Sequence, residues 1–178
     1  IITNNLNYFK KISYLSTQAK DDPVRFIHGD IGYNAKLNNI SASVGVAQFK
    51  IFNRILLKKK KIHEYYLKRI NSLNNFKILK NPKYSVSNNW LNLLKLKNSN
   101  KRYLEKILKV FFDNKIQVRP VWHPNHLQKK MKKFERYRLN KYENYHTSTI
   151  CLPSGYNLSY KNLEKVVKIV TSIDKNES

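Results

Sequence analysis

The chain has 178 residues, 41% of them hydrophobic, and carries 35 Lys+Arg against 11 Asp+Glu for a formal charge of +24. That length and apolar content suit one domain or two small ones with a real core, and exclude a disordered chain. No apolar run reaches the 18 or so residues of a membrane-spanning helix, no signal-peptide pattern is seen, and one cysteine, Cys151, rules out an internal disulfide.

Taken in order, residues 1–5 read as the end of a strand and a turn. Leu6, Phe9, Ile12 and Leu15 then recur at helical spacing. Residues 18–23 form a polar loop stopped by Pro23. Asn39 is the expected N-cap of a helix to about Phe52, with Ile40, Val44, Ala47 and Ile51 on one face. A second helix, or a continuation past a kink, runs to about Leu73. Ile55, Ile62, Tyr66 and Ile70 mark its apolar face, and Lys58–Lys61 its solvated one. Residues 74–87 read as a polar linker around Pro82. Residues 90–96 alternate like a strand. Residues 101–114 form an amphipathic helix, 115–121 another strand, 139–147 a helix, and 150–153 an extended segment. Ser159 caps a last helix through Ile173. Strands alternating with helices indicate an α/β or α+β unit.

A charge of +24 points to a polyanionic partner. Lysine, however, greatly outnumbers arginine, the residue suited to base readout and phosphate forks. Lysine, asparagine, isoleucine and tyrosine are all abundant and all have AT-rich codons, so a genome biased toward A and T would raise lysine without selection for binding. A diphosphate-bearing substrate would also be drawn to such a surface.

Two segments carry chemistry. In the first, Gly32, Tyr33, Asn34 and Lys36 place a turn, an aromatic, an amide and a cation immediately before a helix start. Amide donors and an ammonium beside a helix N-terminus suit an anion such as phosphate. In the second, IQVRPVWHPNHLQ, residues 116–128, combines Arg119, Trp122, His123 and His126 in a loop stiffened by Pro120 and Pro124. Arginine can fork onto a phosphate or carboxylate, and the indole offers a stacking face. Two histidines without a third ligand nearby argue against zinc.

The first segment, GYN-x-K-L-x-N-I-x-A-x-x-G-x-A-Q, resembles the hallmark of the DegT family of sugar aminotransferases. The order SNNWLNLLKL, IQVRPVWHPNHLQ, ICLPSG is similar to its LegC-like branch. The resemblance covers nearly all of residues 1–173. It implies an α/β fold: the C-terminal part of a fold-type I pyridoxal phosphate-dependent transferase, aspartate aminotransferase-like. Residues 1–55 would be the remainder of the large cofactor-binding domain, and 56–178 the small α+β domain. It implies pyridoxal 5'-phosphate as cofactor, with Asn34, helped by Tyr33 and Lys36, clamping the cofactor phosphate of the other subunit in a homodimer. The family usually has arginine where Lys36 stands, which keeps the charge but not the planar fork. Arg119, Trp122 and His126 would line the sugar-nucleotide cleft.

The reaction implied moves an amino group from an amino-acid donor, glutamate, to a 4-keto-6-deoxy nucleotide sugar, in surface-polysaccharide or glycan synthesis in the cytoplasm. The lysine that forms the family's Schiff base is expected upstream of Ile1, so this chain by itself is expected to be inactive. The alternatives are a basic nucleic-acid-binding module and a truncated, non-catalytic relative. No membrane partner is expected.

Overall fold

The structure, a computed structural model, describes residues 1–97, 100–137, 139 and 144–176. The chain forms two compact units, Ile1–Ile51 and Phe52–Ser178.

In the first unit, helix α1 (Leu6–Ser16) starts at Asn5, whose side-chain oxygen accepts from the backbone N–H of Asn7 and Tyr8. Capping, rather than a preceding strand, is what residues 1–5 provide. Residues 18–23 are not a plain loop. Strand β1 (Lys20–Asp22) pairs antiparallel with β2 (Ile27–His28). Asp22 closes the hairpin, accepting from the N–H of Val24 and Arg25 and pairing with the Arg25 guanidinium at 2.8 Å. Helix α2 (Asn39–Lys50) is capped by Asn38, one residue earlier than its sequence suggests, because the Asn38 side chain reaches Ser41 N–H at 2.8 Å. Among the described residues neither α1 nor α2 buries a side chain. Ile40 and Phe49 are 78% and 77% exposed.

The second unit holds the core. Helix α3 (Phe52–Ile70) precedes β3 (Phe76–Ile78) and β4 (Asn92–Leu96). Then follow α4 (Lys101–Asp113), β5 (Arg119–Pro120), β6 (Thr149–Leu152) and α5 (Tyr160–Lys175). The four strands form one antiparallel sheet in the order β3-β4-β6-β5. The expected linker at 74–87 therefore contains an edge strand, hidden by its three-residue length. Phe76 and Ile78 are nonetheless buried opposite Leu96 and Leu94. On β4, Asn92, Leu94 and Leu96 share the buried face. Ile62, Tyr66 and Ile70 of α3, Leu104, Ile107 and Phe111 of α4, and Leu163, Val166 and Val170 of α5 complete the core.

The strand expected over 115–121 shrinks to Arg119–Pro120, since α4 ends in a tight reversal. Lys115 takes φ 57° and donates to Phe112 O, while Ile116 donates to Phe111 O. This is the paired bonding of a Schellman stop, with lysine where glycine is usual. Pro120 is tolerated because β5 is the sheet's edge. Residues 144–146 are helical, and the rest of the helix expected over 139–147 lies largely outside the described residues. Asp174, buried near the end of α5, accepts from Asn74 and Asn75 N–H at 3.1 and 2.8 Å, tying the last helix to the approach to β3. Cys151 is buried on β6, where desolvation pushes its thiol above the usual range and makes it a poor nucleophile.

Candidate functional site

The Gly32–Lys36 turn is fastened to the chain just after α1. Tyr33 N–H donates to Leu15 O at 2.7 Å, Gln18 N–H to Tyr33 O at 3.1 Å, and Ala35 N–H to Ser16 O at 3.1 Å. Asn34 bridges Thr17. Gly32 lies so close to Gln18 and Ala19 that an added Cβ would overlap their backbone. Both of those residues hold positive φ, 68° and 49°, and Ala19 is fully buried. His28 adds a further tie. Its Nδ1 meets the Gln18 carbonyl at 2.6 Å, and since a carbonyl only accepts, Nδ1 carries the proton. The result is a fixed backbone from which Tyr33, Asn34 and Lys36 all project as exposed residues. An amide and an ammonium on a rigid turn form a donor set that fits a phosphate, a group that accepts several N–H bonds at once.

The second segment begins on β5, where Arg119 stands opposite Cys151 and Pro120 opposite Ile150. Val121 N–H extends the ladder to Thr149 O at 3.2 Å. A 3-10 turn, Asn125–Leu127, follows buried Pro124. Trp122 and half-buried His126 together line a cleft of about 630 Å³ with Met131, Phe134, Arg136 and Tyr137. The His123 and His146 rings meet edge to face, 5.1 Å between centroids. Arg119 is not brought into this cleft. It lines a separate one with Lys109, Phe112, Lys115 and Gln117.

The structure also assembles a group that the sequence reading passed over. Asn92, buried on β4, donates through both its backbone N–H and its side-chain Nδ2 to Ser154 Oγ, each at 2.9 Å. Its Oδ1 meets His63 Nδ1 at 2.8 Å, so that histidine nitrogen bears the proton. Ser154 Oγ in turn donates to Leu152 O. Lys59 spans the same region, donating to Trp90 O at 3.1 Å and Ser154 O at 2.9 Å. Desolvation holds its ammonium below the ordinary lysine range. The lysine run is therefore not merely a solvated face: Lys58 lies over the Tyr160 ring at 4.7 Å and Lys59 braces two carbonyls. Tyr66, buried, donates to Pro153 O at 3.0 Å, and burial pushes its hydroxyl well up. The polar Asn92 on a buried strand face was the one visible sign of this network, since a buried amide must find partners.

The architecture and the phosphate-suited turn define a class: the fold is that of fold-type I pyridoxal phosphate-dependent transferases, of which this chain forms a part. The chain belongs to the DegT/DnrJ/EryC1/StrS aminotransferase family, whose pattern matches residues 1–171. It is 28% identical over 174 residues to EpsN of Bacillus subtilis (strain 168), assigned as a pyridoxal phosphate-dependent aminotransferase; the match covers 96% of this chain and 44% of that protein. It is 27% identical over 176 residues to GDP-perosamine synthase of Escherichia coli O157:H7, covering 98% and 46%. The crystal structure of the aminotransferase TlmJ from Streptoalloteichus hindustanus superposes with a TM-score of 0.83 at 16% identity, covering 98% of this chain and 47% of that one. The chain thus spans less than half the length of the curated relatives it matches.

Proposed function

We propose that this chain supplies the phosphate-clamping turn and the substrate loop of a nucleotide-sugar aminotransferase. The observation that carries the reading is the turn at Gly32–Lys36. Three backbone hydrogen bonds fix it, and its amide and ammonium side chains face outward. Pyridoxal phosphate, when bound, supplies the electron sink that amino transfer needs. Asn34 donates to its phosphate across a homodimer interface, and Lys36 adds positive charge. Tyr33, exposed beside Asn34 on the same turn, adds an aromatic side chain to that site. Trp122 and His126, which share one cleft, hold the nucleotide sugar. Arg119 borders a different cleft, so its role is the more distant one of attracting the anion.

The substrate in this reading is a 4-keto-6-deoxy sugar on a nucleoside diphosphate, aminated from an amino acid such as glutamate; similarity to a GDP-perosamine synthase supports the sugar-aminotransferase part of it. In this reading residues 1–55 go with a large cofactor-binding domain and residues 56–178 with a small one.

The test is direct. The chain is incubated with pyridoxal phosphate, reduced with borohydride and analysed by mass spectrometry. No single lysine should be labelled stoichiometrically, and one that is would place the Schiff base in this chain. In the intact enzyme, Asn34→Ala is expected to weaken cofactor retention roughly tenfold, the worth of one hydrogen bond to a charged group. Retention equal to the parent's would remove Asn34 from the phosphate site.

A further inference from the structure

Trp90 and Trp122 come from distant points of the chain, yet their ring centroids lie 5.8 Å apart with planes inclined by 39°. Both remain largely in water, 64% and 60% exposed. Large aromatics are ordinarily core or interface material, so two side by side on a surface form an apolar patch with a π-face. The backbone beneath each is fixed. Trp90 N–H donates to Asn88 Oδ1 at 3.0 Å, and its carbonyl takes the Lys59 ammonium. Buried Asn89, at φ 49°, is held by Asn81 at 2.8 Å. Trp122 follows directly on the Val121–Thr149 ladder bond and precedes buried Pro124. Rings on such supports lose little freedom when a ligand arrives.

Trp122 also walls the cleft that holds His126, Phe134 and Arg136. Arg136 spends one of its donors on Lys132 O at 3.2 Å. A guanidinium has five donors in a fork that matches phosphate oxygens.

We propose that the Trp90–Trp122 pair is the stacking platform for the nucleobase of the bound nucleotide, with Arg136 in the adjoining cleft taking its diphosphate. The inference rests on the nucleotide-sugar reading and adds Trp90 and Arg136 to it. A nucleobase is the part of such a ligand that has a planar π-face, and base stacking on exposed aromatics needs no hydrogen-bond readout. The net charge of +24 raises the local concentration of a diphosphate.

The chain is titrated with GDP, UDP and inorganic pyrophosphate, with tryptophan fluorescence and calorimetry as readouts. GDP and UDP should quench the fluorescence, and pyrophosphate should not. Trp90→Ala should weaken GDP binding roughly tenfold, while Trp90→Phe keeps most of it. Arg136→Gln should weaken GDP more than guanosine. Circular dichroism of each variant checks the fold, and both tryptophans are exposed enough for substitution to leave it intact. GDP binding by Trp90→Ala equal to that of the parent overturns the platform, while the substrate class stands if a nucleotide sugar still binds. Failure of the parent chain to bind any nucleotide also overturns the platform, and the borohydride experiment then decides the aminotransferase reading separately.

Discussion

Gly32 shows how much one residue can decide. Its φ is ordinary, so conformational freedom is not the reason for glycine there. The reason is approach: the Gln18–Ala19 backbone occupies the space of a Cβ. Gly32→Ala must push the turn off the Gln18–Ala19 backbone and is expected to cost about 2 kcal/mol, within the usual range for overpacking a tight contact. Chemical denaturation of parent and variant measures it. Two carboxylates in the same unit set an acid limit. Asp22 is held below the usual range by the N–H and guanidinium of Arg25, and Asp30 by Lys11 at 2.9 Å. A depressed folded pKa contributes stability that is present above the unfolded value, about pH 4, and lost as pH falls through the folded values. Protection factors over Lys20–His28, taken relative to the intrinsic exchange rate at each pH, should therefore hold at neutral pH and fall below about pH 4. Protection that rises on acidification would refute the assignment.

At the scale of an element, the stop of α4 carries a built-in cost. Lys115 sits in the left-handed region, which hinders a Cβ, while its N–H and that of Ile116 satisfy the last carbonyls. Lys115→Gly removes the hindrance and is expected to stabilise the second unit by about 0.5–1 kcal/mol. A thermal melt that falls instead would show that the lysine side chain contributes more than the strain removes. The strand β4 presents the opposite case, a polar residue on a buried face made tolerable by full pairing. Asn92, His63 and Ser154 form one network, so Asn92→Ala would take the Nδ2 donor from Ser154 Oγ and leave His63 Nδ1 without the Asn92 Oδ1 acceptor, while the backbone N–H of residue 92 and the Leu152 carbonyl still hold Ser154. The expected loss is about 2–3 kcal/mol by denaturation, and less in a Ser154→Ala background because the two residues act as one network.

For the whole molecule, charge and exposed apolar surface matter most. A net charge of +24 repels itself in the folded state. Raising salt from about 0.01 to about 0.1 M shortens the screening length from roughly 30 to about 10 Å and should raise the melting temperature. The exposed apolar residues of α1 and α2, among them Leu6, Phe9, Ile40 and Phe49, form surfaces of the kind that associate or aggregate. Among the described residues no helix is long and apolar enough to cross a membrane.

The sequence by itself located α1, α2, α3, α4 and α5, because helices of eleven residues or more carry enough capping and periodic signal to be read. It also singled out the Gly32–Lys36 turn and the Trp122–His126 loop, since both carry chemistry within a few consecutive residues. Strands of two or three residues, β1, β2 and β3, left too short a pattern, while β5 was read but over the longer span 115–121. Only the tertiary structure paired Trp90 with Trp122, set Lys59 against the Trp90 and Ser154 carbonyls, and separated Arg119 from the cleft of Trp122 and His126. Those relations join residues up to 95 positions apart. Local periodicity carries no information about them, because strand order and the packing of α3 decide which side chains meet.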